Sequence, residues 1–431
     1  MGGRKRTGQG DVMAVQGEKK GGPLFRLPNY PAWFAADTLL LSGSAVHWIV
    51  ISLMAYELSG SVTMAGWFFT LRGIASVVTQ VVGGTFIDRH DHRRLILAQA
   101  GICGLLWLTM GVLFACGLLT FELFLLLCLG SSAVFGLLDG TTNAALITVV
   151  GPERYAEAES LNQGRDAAVR TAGSPFGAFL YGLSHAAPFF ASALCDGLAF
   201  VSALFLRLPE RELPAGAEQR GIASFLRDLL DGWKWVLSSR TIVSAVIIIG
   251  LSEFGAFAMR QAINLQMVSS GTDALLISVV NVVSGVATML GSLVSARICE
   301  RVPVGWGVIS IMGFTALGYL PLFFSSAYPS IVLVSVLTSL PLPLFGALVN
   351  GFVFSKTPVD KQGRTRAAVM TTVMLFGSGS GAVAGELLPA IGFTGFVIVM
   401  LALVVLSAAL AAFNPLIRAL PASPHWAEVE L

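Results

Sequence analysis

Apolar residues in this chain run in long unbroken stretches, not in the alternation of a half-buried strand or the one-sided stripe of a soluble helix. Twelve such stretches stand out. They lie at roughly 32–57, 62–87, 95–117, 122–146, 161–183 and 186–206, then 241–267, 273–297, 304–325, 328–353, 366–390 and 393–414. A helix needs about 20 residues to cross the hydrocarbon core of a bilayer, and each stretch meets that length. The pattern predicts an all-α integral membrane protein with twelve spans in two six-helix halves, residues 31–206 and 241–414. Between them, residues 207–240 carry Pro209, Pro214, Gly216 and mixed charge. That linker then places Phe225, Leu229, Trp233 and Val236 on one helical face and Arg227, Asp228, Asp231 and Lys234 largely elsewhere, as an amphipathic helix on the membrane surface does. Residues 1–30, basic and without an apolar core, read as a disordered tail, and residues 415–431 as a second tail.

Composition agrees, with 55% hydrophobic residues, 12% charged and a mean hydropathy of +0.77. A soluble core has no use for that much apolar surface. The net charge of +2 changes little, but the placement of the charges is informative. With the N-terminus inside, the tails and inner loops hold 23 of the 27 Lys and Arg residues, and the outer loops hold none. The remaining four, Arg72, Arg165, Arg170 and Arg260, fall within predicted spans. This asymmetry predicts twelve spans with cytoplasmic termini, and the membrane expected is a bacterial inner membrane. The first stretch is too long for a signal-peptide core and reads as an uncleaved first span. The five cysteines lack paired spacing and read as free thiols, with no disulfide framework and no metal site.

Ionisable groups within spans cost roughly 2.5–3.5 kcal/mol each on insertion scales, so each one needs a reason. The acids are Asp37, Asp139, Asp166, Asp196, Glu253 and Glu386, with His47 as a further titratable group. Asp139, Arg165, Asp166 and Arg170 share the inner half of the bundle and read as a structural ion-pair cluster. Asp196 lies near the middle of the sixth span, either as a packing acid bonded to a neighbouring Ser or as a proton carrier. Glu253 and Arg260, seven apart, share one face of the seventh span about 10 Å apart and suggest a water-filled cavity. For Arg72 there are two roles, holding a substrate anion or neutralising Asp37 or Asp196, and the second is the commoner arrangement. His47 reads first as a packing residue and second as a proton relay.

The stretch Gly83 to Arg94, GGTFIDRHDHRR, carries one further clue. A helix C-terminus repels a carboxylate, so Asp88 needs compensation from outside its own helix. Read as Gly84-x-x-x-Asp88-Arg89-x-x-His92-Arg93-Arg94, the stretch resembles the loop between the second and third helices of major facilitator superfamily transporters, with Asp91 where the general pattern has a second Gly. That variant resembles the drug and siderophore exporter branch, similar to enterobactin and macrolide exporters. GPERYAEAESLNQ, CDGLAFVSAL and TPVDKQGRTRAAV resemble the same branch in order and spacing. The resemblance implies an inner latch of Gly84, Asp88, Arg89, Arg93 and Arg94, with Arg364 and Arg366 as partners. The branch usually has an acid after the Gly of the first helix, where Ser42-Gly43-Ser44 stands here, and His47 or Asp37 lies within about two turns. Gly164, Gly173, Pro175 and Gly177 partly resemble the antiporter motif of the fifth helix. Gly84 and Gly291, Pro152 and Pro358, and Gly173 and Gly381 pair at offsets of 206 to 208, which fits two repeated halves of six helices with a site between them near the midplane.

These readings converge on a secondary exporter of a small amphipathic molecule of the drug, antibiotic or siderophore class, working by proton antiport. Asp196, Glu253, Asp37 and His47 are the proton-coupling candidates, and Arg72, Arg260 and Asp139 the cavity candidates. The expected partners are the substrate, protons and membrane lipid, with no nucleic acid and no cofactor, and the resemblance implies a monomer. Enzyme motifs such as HExxH, a Walker lysine loop or a Rossmann fingerprint are absent from the sequence. The alternatives are a proton-coupled uptake symporter and a non-transporting membrane sensor or scaffold.

Overall fold

In a computed structural model, the described residues are 23–208, 233–234, 237, 240–356 and 362–422. The tail before residue 23 and most of the linker with its amphipathic helix lie outside them. Ten stretches among the described residues are long and apolar enough to cross a membrane. One of these runs 40 residues within the helix Gln362–Phe413, which turns at Gly392, at φ 71° and ψ 169°, and so crosses twice. Tyr155–Leu183, 29 residues long, completes twelve spans and owes its lower hydropathy to charges such as Arg165, Asp166 and Arg170. The fold is therefore the all-α membrane architecture predicted.

The spans are numbered in chain order. Span 1 is Tyr30–Ser59, span 2 Val62–Arg89, span 3 His92–Ala115, span 5 Tyr155–Leu183 and span 6 Ala187–Leu204. Span 7 is Arg240–Ser269 and span 8 Ala274–Ile298. Spans 11 and 12 are the parts of Gln362–Phe413 before and after Gly392. Three spans that read as continuous are broken. Span 4 is Phe121–Leu138 followed by Thr141–Val150, span 9 is Val304–Tyr319 followed by Pro321–Phe324, and span 10 is Tyr328–Ser339 followed by Leu342–Lys356. The causes are local. Gly140 takes φ 89°, which a side chain resists, and Pro321, Pro341 and Pro343 lack the N–H that a helix interior needs.

An even number of spans returns both termini to one end of the bundle. At that end the buried cores are separate. Leu24, Tyr30, Trp33, Ala145, Leu146 and Ala203 form one in the first half, and Val304, Val308, Met312, Leu348 and Ile417 form another in the second. At the far end a single cluster joins both halves, from Ile49, Met54 and Phe68 to Ala258, Ile263 and Phe396. Among the described residues the halves are thus packed together at the far end and have separate cores at the termini end.

The chain just ahead of span 1, which the sequence assigns to the tail, is tied down. Leu24–Arg26 forms a 3-10 turn with Leu24 buried. Asn29, at φ 68°, donates from its side-chain amide to the Arg207 carbonyl at 3.0 Å and accepts from the Arg207 N–H at 2.9 Å. In the second half the start of span 9 is held similarly, as Val304 and Gly305 donate their N–H groups to the Pro421 and Leu420 carbonyls.

Candidate functional site

In the loop between spans 2 and 3, Asp91 stands at the helix N-cap, its carboxylate accepting the Arg94 N–H at 2.8 Å. A capping acid there satisfies an orphan donor and opposes the dipole, which accounts for an acid where the family pattern has Gly. Arg93 reaches the last span of the same half, donating to the Leu204 carbonyl at 2.8 Å and the Ala203 carbonyl at 3.4 Å. It thereby covers the open C-terminus of span 6. Asp88 is exposed and makes no hydrogen bond or ion pair among the described residues, whereas Arg89 is engaged. Arg364 and Arg366 stand on the first turn of span 11, and their side chains lie outside the described residues. Gly84 faces open space, and the close approach belongs to its neighbour. A Cβ on Gly83 would stand 2.5 Å from the Leu137 carbonyl oxygen of span 4.

The charges of the first half resolve into one anchored group and several separate residues. Arg165, with 9% of its side chain exposed, ion-pairs with Asp37 of span 1 and with Asp166 at 2.6 Å. It also donates to the Thr38 hydroxyl at 3.0 Å and lies over the Phe34 ring. All three nitrogens of its guanidinium donate, and they join span 5 to span 1. Arg72 is therefore not the partner of Asp37. It donates to the Ser132 hydroxyl of span 4 at 3.0 Å, lies over Phe68 and makes no ion pair with Asp196 among the described residues. Asp139 is exposed at the break in span 4. The Asp-Gly pair at 139 and 140 is a turn signal legible in the sequence.

His47 packs as a core histidine, stacked on Trp107 at 3.9 Å with Nδ1 3.3 Å from the Ser192 hydroxyl, which itself donates to the Gly43 carbonyl. One turn along span 6 lies Asp196, 4% exposed, between spans 1 and 3. Two glycines make its space. A Cβ on Gly43 would lie 3.2 Å from its Oδ1, and one on Gly104 3.2 Å from its Cβ. Asp196 has no hydrogen bond or ion pair among the described residues, which removes the reading of an acid bonded to a nearby Ser.

In the second half, Glu253 and Arg260 both line a small, partly open cavity between spans 7, 9 and 10, together with Ser252, Met312, Thr315, Tyr319 and Thr338. They are not paired with each other. Arg260 lies over the Phe257 ring at 4.4 Å.

Of the residues that join the halves, Gly381, Gly385 and Glu386 stand out in the sequence, whereas Thr63, Gly66, Trp67 and Thr70 carry no motif. Spans 2 and 11 meet backbone to backbone at the far end, where a Cβ on Gly66 would stand 2.4 Å from the Gly381 carbonyl oxygen and 2.6 Å from the Gly385 Cα. Hydrogen bonds line this seam. Thr63 donates to the Gly385 carbonyl, Thr70 donates to the Ser378 carbonyl and accepts the Ala382 N–H, and the Trp67 indole donates to Glu386 at 2.8 Å. The available signal was a run of small and hydroxyl residues at helical spacing, which packing inside one half produces equally well.

Such a bundle, joined at one end with its cores separate at the other and with unpaired ionisable groups at depth, can pass a solute by opening its two ends in turn. Solved structures share the architecture. The nucleoside transporter NupG superposes with a TM-score of 0.68 at 15% identity, covering 88% of this chain and 97% of its own. A bacterial homologue of the iron transporter ferroportin, in an inward-facing state, gives 0.68 at 16% identity over 91% and 99%. Identities this low speak to the fold alone. No curated protein sequence matches. The family model of the Major Facilitator Superfamily matches residues 34–382, so this chain belongs to that superfamily and is a multi-pass membrane transporter.

Proposed function

We propose that this transporter exports a small amphipathic molecule, of the drug, antibiotic or siderophore class, across a bacterial inner membrane in exchange for inward-moving protons, with both termini cytoplasmic and one chain as the working unit. The observation that carries the proton step is Asp196. A carboxylate this deep, with no cation or hydrogen bond beside it among the described residues, is costly when ionised, and binding a proton relieves that cost. Asp37 drops out of this role because Arg165 already neutralises it. Export is favoured over uptake by the loop GGTFIDRHDHRR and the later stretches that resemble the exporter branch in order and spacing.

Alternating access then exchanges the far-end seam for a latch at the termini end. Asp88 and Arg89 close that latch against span 11, where Arg364 and Arg366 are the proposed partners. Deleting the protein from its native host, and complementing with the intact form or with Asp88→Asn, tests the reading through the small molecules retained and secreted. A metabolite that accumulates inside the deletion strain and leaves only with the intact protein is the expected result, with Asp88→Asn inserted normally but slow. Accumulation of that metabolite in right-side-out vesicles under an inward proton gradient would point to uptake. An export rate unchanged in Asp88→Asn would remove the latch.

A further inference from the structure

We infer that the molecule this transporter carries is an organic anion, whose carboxylate is held between spans 2 and 4 by Arg72 and Ser132. Arg72 stands about ten residues, hence roughly 15 Å, along span 2 from its start at Val62, which is close to the middle of the bilayer core. Two other arginines of the spans have acids to answer them. Arg165 ion-pairs with Asp37 and Asp166, and Arg260 shares its cavity with Glu253. Arg72 has no acid partner among the described residues. Its Nε donates to the Ser132 hydroxyl at 3.0 Å, and its guanidinium carbon lies 5.7 Å from the centre of the Phe68 ring. Nη1 and Nη2 make no hydrogen bond among the described residues. Ser132 adds a second unmet donor. It is 6% exposed, its oxygen accepts from Arg72, and its own proton has no acceptor among the described residues. The adjacent Ser131 shows the contrast, since it gives its proton to the Cys128 carbonyl.

Charge and donor geometry select the guest. A guanidinium at this depth is costly unless it is paired or faces a water-filled path. Arg72 is half-buried, so one side of it is open. Turned to lipid, that side would be at its most costly, so it faces the solute path. One turn toward the far end, Phe68 stacks on Phe124 at 5.1 Å, both buried, and offers no acceptor there. Every unmet group of the pair is a donor, so the guest must accept, and the fixed positive charge must be answered by a negative one. The Nη1–Nη2 fork matches the two oxygens of a carboxylate, which a spherical ion such as chloride does not reproduce. The inference deepens the export reading by naming the charge of the solute, and rests on that reading for the direction of travel.

The test is thermal unfolding of the full-length purified protein in detergent, in potassium gluconate at constant ionic strength, with benzoate, 1-naphthoate or indole-3-acetate added, with the uncharged amide of each, or with chloride. A midpoint that rises by several degrees with at least one of the three carboxylates, saturates with its concentration and does not move with the matching amide is the expected result. Arg72→Gln should abolish the rise. Arg72→Lys keeps the charge without the fork and Ser132→Ala removes one donor, and each should weaken apparent binding about tenfold, as loss of one charge-assisted hydrogen bond does. These two decide the matter if Arg72→Gln fails to fold. No rise with any carboxylate, or the same rise with acid and amide, would overturn the inference. An equal rise with chloride would reduce the site to one for an inorganic ion and overturn the substrate assignment. A rise of full size in the variants would place the anion elsewhere and overturn it equally. Binding is read here without transport, so a failure leaves open whether the deletion strain accumulates a metabolite, and a finding of uptake in vesicles leaves the anion site standing.

Discussion

The two seams between the halves are related by the internal repeat, yet they are built differently. Spans 2 and 11 touch through Gly66, Gly381 and Gly385, with hydroxyl and indole hydrogen bonds on either side. Spans 5 and 8 share one longer bond, from the Asn281 amide to the Ser174 hydroxyl at 3.3 Å, and then diverge around an apolar groove of about 450 Å³. Gly164, Ala168, Thr171 and Pro175 line it on one side, and Val282 and Met289 on the other. The glycines that would have closed this seam are used elsewhere. A Cβ on Gly173 would stand 2.3 Å from the Ala45 Cβ, and one on Gly177 2.0 Å from the Val46 carbonyl oxygen, so both seat span 1 inside its own half. Repeat-related glycine pairs therefore do different work. One set makes a rigid unit of spans 1 and 5, and the other makes a contact between halves that must break whenever the far end opens.

That contrast predicts an ordered series, read as the distance between spin labels on Ser184→Cys and Ser270→Cys, which sit in far-end loops of opposite halves, in a background without the five native cysteines. Gly66→Leu should have the largest effect. Its side chain has no space against the span 11 backbone, so the far end should stay open and transport should be lost while the protein still inserts. Thr70→Val comes next, since it removes two hydrogen bonds that cross the seam. Interhelical bonds in membranes average about 0.6 kcal/mol and reach about 1.7. A combined loss of about 1–2 kcal/mol shifts the closed-to-open ratio by roughly 5 to 30 fold. Trp67→Phe gives up one bond to an exposed Glu386, and a shift of about threefold is expected from about 0.6 kcal/mol. Ser174→Ala, at the looser seam, should leave the distance distribution unchanged. If Ser174→Ala opened the far end as far as Thr70→Val, the two seams would be energetically alike and the comparison would fail.

Charge offers a second contrast between the halves. In the first, Arg165 ties Asp37 and Asp166 together, so Arg165→Met should leave two carboxylates uncompensated. Removing one partner of a buried pair costs about 3–5 kcal/mol, to be read as a large fall in the unfolding midpoint. The corresponding change in the second half, Glu253→Gln, removes a carboxylate that shares a cavity with Arg260 without a direct ion pair, and should lower the midpoint much less.

Hydropathy settled the number of spans and their approximate bounds, because insertion into a bilayer is decided segment by segment. Local signals were also sufficient for the breaks at Asp139-Gly140 and Pro341, although long apolar runs conceal them. Pairing was beyond reach. Arg165 meets Asp37 across 128 positions and Trp67 meets Glu386 across 319, and four arginines with six acids leave many pairings equal on sequence grounds. Gly84 of the motif faces open space while its neighbour Gly83 packs on span 4, a difference of about 100° around the helix that motif alignment does not register. Which helix a small residue faces, which acid keeps a partner and which hydroxyls surround a cavity depend on the rotation and docking of whole helices. Those follow from the packing of all the spans at once, and only the tertiary structure decided them.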